Sequence, residues 1–343
     1  MSISTNLAIN RFGADSVEGD PKRDSAPFVS IVVPVYNEEH AIGPYLAAIG
    51  PAVEASGLRC EFVFVDDGSR DSTIDVLRAH QKSDPRIRIV RLSRNFGKEA
   101  AVTAGLDLAR GDVVVPMDVD LQDPPSLLPQ LLEKWREGFD VVYGVRVSRT
   151  TDTGLKRMTA GWFYRLFNRV SSVPIPENVG DFRLLDRRVI EALKLFPERN
   201  RFLKGLFAWV GFRSVGVPYS RAERVSGKTT WNYWKLWNFA LDGITGFSTV
   251  PLRIWVYFGA LVSFLGFAYA LYLVVRVFTI GIDAPGYSSI MVAILVFGGL
   301  QLLSLGLLGE YVGRIFSEVK QRPIYVVDRL WESAAKDESS APT

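Results

Sequence analysis

The chain has 343 residues, with 40 Lys and Arg against 37 Asp and Glu and a formal net charge of +3 at pH 7. Its one cysteine, Cys60, excludes an internal disulfide framework or a cysteine zinc site, and its two histidines, His40 and His80, have no metal-ligand spacing. So even a charge balance does not argue for nucleic acid as a partner, and a mean hydropathy of +0.12 points to apolar residues concentrated in one region, the C-terminal third.

Residues 1–27 are rich in Ser, Asp, Asn and Gly, show no apolar periodicity and lack the apolar core of a signal peptide; they read as a disordered cytosolic tail. From Phe28 the pattern alternates. Strands are predicted at Phe28–Val33, Glu61–Val65, Ile87–Leu92, Val113–Met117 and Val141–Val145, with helices near Glu39–Glu54, Ser72–Gln81, Lys98–Ala109 and Ser126–Arg136 between them. Short apolar runs alternating with helices imply parallel strands joined by right-handed crossovers, hence an α/β domain that binds ligands at the C-terminal ends of its strands.

Two further segments read as amphipathic helices at a membrane surface or packed on the α/β domain. Leu155, Met158, Trp162, Leu166 and Val170 share one helical face, as do Trp231, Trp234, Trp237, Leu241 and Ile244. Trp255–Val275 then runs 21 residues and Ser288–Gly309 22 residues without a charge, each enough to cross a hydrocarbon layer of about 30 Å. The connection Thr279–Tyr287 holds Asp283 but no Lys or Arg, whereas Lys235, Arg253, Arg314, Lys320 and Arg322 flank the other ends, so both termini are predicted to face the cytosol. The predicted organisation is a tail (1–27), a catalytic domain (28–230), an interfacial helix (231–251), two transmembrane helices (252–310) and a cytosolic C-terminal segment (311–343). Gly298-Gly299 in the second span permits close helix packing and a homo-oligomer.

The chemistry concentrates at strand ends. Asp118-Val119-Asp120-Leu121-Gln122-Asp123-Pro124-Pro125 follows the fourth predicted strand, and two carboxylates one residue apart there suit a hard divalent cation shared with substrate phosphates. Asp-x-Asp pairs also occur as solvated loop residues, but two more polar strand ends, Val33-Pro34-Val35-Tyr36-Asn37-Glu38 and Val65-Asp66-Asp67-Gly68-Ser69, converge on the same sheet edge. No Gly-x-Gly-x-x-Gly occurs, and Gly227-Lys228-Thr229 imitates a P-loop whose earlier glycine position is Ala222. A dinucleotide dehydrogenase and a P-loop ATPase are thereby excluded, leaving phosphate to a metal bridge and basic side chains.

Together with Asn95-Phe96-Gly97-Lys98, these motifs resemble family 2 glycosyltransferases of the GT-A fold, in particular dolichyl-phosphate mannose synthases and bacterial polyprenyl-phosphate glucosyltransferases used in O-antigen modification. The resemblance covers about residues 28–330, including Leu308-Gly309-Glu310-Tyr311-Val312-Gly313-Arg314. It implies a Rossmann-like, mostly parallel sheet and transfer of one hexose, with inversion, from a nucleotide-diphosphate sugar such as UDP-glucose to undecaprenyl phosphate at the bacterial cytoplasmic membrane. It implies nucleotide contacts from Pro34, Tyr36, Glu38, Asp66, Asp67, Lys98 and Asp118, and Mg2+ or Mn2+ on Asp118, Asp120 and Gln122. Arg146, Arg157, Arg224 and Lys228 would receive acceptor or donor phosphate; arginine forks suit phosphate oxygens, although the four also form a basic collar of the kind that attracts anionic lipid. Asp181, in Gly180-Asp181-Phe182-Arg183, matches a base or sugar-orienting carboxylate and reads equally as an Arg-paired structural Asp; Asp120 is the second catalytic candidate.

Val119 stands where the family has Ala, and Gly227-Lys228-Thr229-Thr230 where relatives show Gly-x-Ser-Lys. A processive polysaccharide synthase fits less well, because two spans make a poor polymer channel and no Gln-x-x-Arg-Trp motif occurs. A noncatalytic nucleotide-sugar-binding membrane module is the other alternative, and the intact acidic pair weighs against it.

Overall fold

The computed structural model describes residues 23, 26–146, 179–196, 198–199, 201–220, 250–280 and 286–332. Within them the order is β1 (Phe28–Val35), α1 (Ile42–Ala55), β2 (Arg59–Asp66), α2 (Thr73–Ser83), β3 (Ile87–Leu92), α3 (Lys98–Leu108), β4 (Val113–Pro116), a 3-10 turn (Pro125–Leu127), α4 (Leu128–Arg136) and β5 (Val141–Arg146). There follow β6 (Val179–Asp186), α5 (Arg187–Lys194), α6 (Leu203–Trp209), β7 (Ser214–Tyr219), α7 (Val250–Ile280), α8 (Tyr287–Val319) and β8 (Val327–Trp331). The two predicted surface helices lie outside the described residues.

The strands form one sheet in the order β7-β5-β6-β4-β1-β2-β3-β8. Its centre is parallel: β1 pairs with β2 and β4, and β2 with β3. The expectation of a mostly parallel sheet needs correction at the flanks, because β4–β6, β5–β6 and β3–β8 are antiparallel, although β5–β7 is again parallel. A mixed sheet of the GT-A type results.

Pleating explains the three layers. Along β1, Val29, Ile31, Val33 and Val35 point to one face and pack with α1, α2 and α4, while Val32, with Val63 and Val65 of β2, packs with α3, α5 and α6 on the other. Central strands covered on both faces must be apolar throughout, which is why they read as continuous Val, Ile and Phe runs. Because β2 and β3 lie on one side of β1 and β4 on the other, the chain reverses direction between β1 and β4, and a crevice opens there outside the strand ends.

The C-terminal helices are built differently. At 1.5 Å per residue, α7 and α8 extend about 46 and 50 Å. Large apolar side chains along them are bare: Phe267 is 78% exposed, Phe278 86% and Leu302 71%. Among the described residues, Val296–Val319 is long and apolar enough to cross a membrane, whereas the apolar run of α7, Ile254–Tyr269, is shorter. The prediction of two equivalent spans therefore reduces to one clear stretch and one shorter one.

After α8 the chain returns to the catalytic sheet. Ser93 N–H donates to Val326 O at 2.9 Å, and β8 then pairs along β3. Tyr325 donates to Asp107 Oδ2 at 2.9 Å, and Glu332 reaches Arg88 and Arg110. No apolar pattern marks this strand, a short antiparallel edge with mostly exposed side chains. At the other terminus, Arg23, in the segment read as a tail, is buried: it donates to Trp135 O at 2.7 Å and to Asp140 Oδ1 at 2.6 Å.

Candidate active site

Interlocking loops at the strand ends frame the crevice. Asn37 N–H donates to Ser69 Oγ and Arg70 N–H to Asn37 Oδ1, both at 2.9 Å; Glu38 N–H donates to Thr73 Oγ1 and Ser72 N–H to Glu39 Oε2, also at 2.9 Å. The loops after β1 and β2 are thus one unit. Asn37 (φ 54°) and Leu121 (φ 55°) both take the left-handed conformation that costs a non-glycine residue energy, one at each of the strand ends that flank the crevice.

Asp67 sets the third side. Its two carboxylate oxygens accept from Phe96 N–H at 2.7 Å and Gly97 N–H at 2.9 Å, fixing the start of α3. Burial raises its pKa, against the pull of those two amides. Asp66, fully buried at the end of β2, accepts from Ser69 N–H at 3.0 Å. Gly68 (φ +71°) is required here, because a Cβ would lie 2.6 Å from the backbone carbon of Arg94. Both aspartates therefore shape the loops; Tyr36, 41% exposed, is the more open of the predicted base-contacting residues.

The helix start so fixed delivers Lys98 to the centre of the site. Its ammonium donates to Asp118 Oδ2 at 2.7 Å and to Asp181 Oδ2 at 2.8 Å, joining α3, the loop after β4 and β6. Lys204, from α6, stands 3.2 Å from Asp181 Oδ1. Burial disfavours the Lys98 charge, but Asp181 and Asp118 more than offset it and raise its pKa. Burial likewise works against the Asp181 carboxylate, but Lys204, Lys98 and Arg183 hold it well below the usual carboxylate range. Asp181 sits deep among protein atoms, yet 47% of its side-chain surface opens to the cleft, so solvent screens part of this attraction.

Pro34, Lys98, Asp118 and Asp181, each singled out in the sequence, line one cleft of about 420 Å3, solvent at its mouth included. Pro116 and Met117 at the end of β4 line it too, and Glu99, Val102, Arg183, Leu203, Lys204 and Phe207, which complete it, were not anticipated. Glu99 follows the Asn95–Lys98 motif directly, a positional hint, whereas Lys204 lies in a run, Phe202-Leu203-Lys204-Gly205, that has no recognisable pattern. Burial and then the Asp181 charge push the Glu99 carboxyl up to about 7, against Lys98, Lys204 and the Leu203 amide.

Arg146, at the end of β5, donates to Tyr219 Oη at 3.4 Å, and Tyr219 in turn donates to Asp123 of the Asp118–Pro125 run. Burial works against the Arg146 charge, but Tyr219, Asp123 and Asp181 raise its pKa. Asp123 and Tyr219 were also missed. Arg157, Arg224 and Lys228 lie outside the described residues.

The site's fit to a divalent cation rests on its donors. Asp118, Asp120 and Gln122 offer hard oxygens, and Gln122 Oε1 is buried without a hydrogen-bond partner. Among the described residues no three His, Cys, Asp or Glu side chains gather as a cage. One or two carboxylates, with the remaining positions left to substrate phosphates and water, is how magnesium is commonly held, and the Gln122 oxygen adds one more hard donor beside the pair.

A mixed α/β sheet with a carboxylate pair and paired lysines at its switch point, joined to bare apolar helices, defines a membrane-associated transferase of the GT-A class. The description "Glycosyl transferase family 2" matches residues 30–194, and "GtrB C-terminal hairpin" matches residues 250–315. An uncharacterized glycosyltransferase of Synechocystis is 52% identical, over 88% of this chain and 95% of its own length. A prophage-derived bactoprenol glucosyl transferase of Shigella flexneri is 50% identical over 88% of this chain and 97% of its own, and a prophage bactoprenol glucosyl transferase homolog of Escherichia coli 49% identical over 88% and 99%. The chain belongs to the family 2 glycosyl transferases.

Proposed function

We propose that this chain transfers one hexose, glucose in the first instance, from a nucleoside-diphosphate sugar to the phosphate of a polyprenyl lipid, inverting the anomeric centre, on the cytosolic face of a bacterial membrane. The observation that carries the reading is the convergence of Lys98, Asp118 and Asp181 on one cleft, in a chain half identical to bactoprenol glucosyl transferases. In this reading α7 and α8 both cross the bilayer as a hairpin. The return of the chain to β8 fits that hairpin, since it leaves the end of α8 on the side of the catalytic domain. The consecutive glycines Gly298-Gly299 of α8 would permit close helix packing and so suit a homo-oligomer.

The chemistry needs little proton transfer. A phosphate monoester has its second pKa near 6, so the acceptor is largely dianionic at neutral pH and attacks the anomeric carbon as its O–C bond forms and the bond to the diphosphate breaks. Asp118, Asp120 and Gln122 would hold Mg2+ or Mn2+, which when bound supplies positive charge to the departing diphosphate. Lys98 adds a further cation beside it. Asp181, kept ionised by two lysines and Arg183, is a poor proton acceptor; it serves to orient the sugar and to hold Lys98 and Lys204 in place. Arg146, with Arg157, Arg224 and Lys228, would meet the acceptor phosphate.

The test is direct. Membranes containing the protein are incubated with radiolabelled UDP-glucose and undecaprenyl phosphate, with and without chelator. A single-hexose glycolipid that disappears on chelation is expected; if no common sugar nucleotide yields such a product, the proposal fails.

A further inference from the structure

The cleft has two chemically different ends. Pro34, Pro116, Met117 and Asp118 lie at the ends of β1 and β4, beside the loop that carries Asp120 and Gln122. The opposite end is built by α3 and α6: Glu99 and Val102 from the first, Leu203, Lys204 and Phe207 from the second, with Asp181 of β6 between them. The Leu203 amide, at the start of α6, lies near the Glu99 carboxylate and favours its charged form. Arg183 packs its guanidinium 4.2 Å from the Phe207 ring centroid, holding that ring against the wall.

Charge alternates along this end. Glu99 and Asp181 carry carboxylates, Lys98 and Lys204 ammonium groups, and Val102, Leu203 and Phe207 supply apolar surface. Lys204 is already paired with Asp181, so charge at this end is largely balanced within the protein and is not gathered for an anion, as a phosphate site would require. A pyranose fits it. Each hydroxyl both donates and accepts, which calls for donors and acceptors around a rim, and the ring's C–H faces call for apolar walls.

Resting on the proposed transferase reading, we infer that Glu99 and Lys204 form the hexose subsite and set which sugar the enzyme accepts. The groups that face Glu99 are Asp181, Lys98, Lys204 and the Leu203 amide. A carboxyl raised to about 7 by burial and by Asp181 exists in both protonation states near neutrality, so it can give or take a hydrogen bond with a sugar hydroxyl. Lys204, already 3.2 Å from Asp181, would bind a hydroxyl while keeping that ion pair.

The experiment uses the full-length protein in nanodiscs and the variants Glu99→Gln and Lys204→Met. UDP binding is measured by calorimetry, and kcat/KM is measured with UDP-glucose and UDP-galactose. UDP affinity should stay within about twofold, while kcat/KM for the preferred donor falls about tenfold or more and the gap between the two donors narrows, as expected when a hydrogen bond to a charged group is lost. Unchanged kinetics, or a fall in UDP affinity in step with kcat/KM, overturns the inference. Thermal melting of both variants, with Lys204→Arg as a charge-keeping control, separates loss of recognition from loss of fold. Failure of the wild-type protein to bind UDP or any other common nucleoside diphosphate would instead remove the transferase reading itself.

Discussion

The Lys98 ammonium donates to Asp181 Oδ2 at 2.8 Å, across 83 positions of sequence. With Lys204 on the other oxygen, the carboxylate is committed to holding two cations, a role at odds with proton abstraction. Asp181→Asn should therefore lower kcat on the order of 10²–10³-fold by releasing that arrangement. Added formate or azide should not restore the rate, as either would if a general base had been lost. Because the Asp181 pKa is depressed, the group stays ionised as pH falls until well below the usual carboxylate range. The acid side of the kcat/KM profile above pH 5 should thus be the same whether or not Asp181 is present; an acid limb lost with Asp181→Asn would make it the base after all.

Asp118 meets Lys98 through Oδ2, and Asp120 Oδ1 accepts from the Gln122 backbone N–H at 3.2 Å, which turns the loop back toward the acidic pair. The double substitution of Asp118 and Asp120 by Asn keeps shape and removes two negative charges. Turnover should fall to background, and the gain in UDP affinity brought by Mn2+ in calorimetry should vanish. Metal-independent UDP binding of unchanged strength in the wild type would contradict the assignment of these oxygens.

Glu99 makes a stability prediction independent of catalysis. Its pKa rises from 4.5 to about 7 on folding, so the folded state binds more protons than the unfolded one between those values. Stability from this group is complete below pH 4.5 and is lost as pH rises toward 7. In Glu99→Gln that loss is absent. The melting temperature of the variant should match the wild type near pH 4.5 and exceed it increasingly up to pH 7; parallel curves across that range would show that Glu99 does not titrate there.

Much of this was legible in the sequence because the central strands are covered on both faces. β1, β2, β3 and β4 must be apolar throughout, and their polar ends therefore stand out as Pro34–Glu38, Asp66–Ser69 and Asp118–Asp123. The flanks were harder. β6 and β7 follow no crossover helix rhythm, and β8 sits on an exposed edge where the solvent-facing residues carry no apolar pattern. The same reason hid part of the site: Lys204 and Phe207 act from α6 and Tyr219 from β7, elements set in place by strands that pair with partners distant in sequence, and such pairing leaves no local mark. Asp66 and Asp67 were found, but as ligand contacts; their observed partners are the Ser69 amide and Arg91 for Asp66 and the Phe96 and Gly97 amides for Asp67, because a short carboxylate at a strand end reaches nearby loop backbone.

Opposite the active site, the strand starts carry a buried polar network that the sequence also concealed. Arg88 donates to Glu61 Oε2 at 2.9 Å, to Leu108 O at 3.0 Å and to Glu332 Oε2 at 3.0 Å, while Glu61 Oε1 accepts from Ser30 Oγ at 2.5 Å and the Arg110 amide at 2.7 Å. Glu61 and Arg88 are both nearly inaccessible, so each is the other's compensation for lost hydration. Removing the cation strands the anion: Arg88→Met should cost about 3–5 kcal/mol. Removing Glu332, whose side chain is 43% exposed, should cost about 1 kcal/mol or less. The contrast is the test, read as melting temperature in detergent. The Arg88 variant should melt roughly 10 °C lower and Glu332→Gln nearly unchanged, because β8 remains fastened by its backbone pairing to β3. Equal losses would mean instead that the C-terminal strand, through Glu332, is what keeps Arg88 in its buried position.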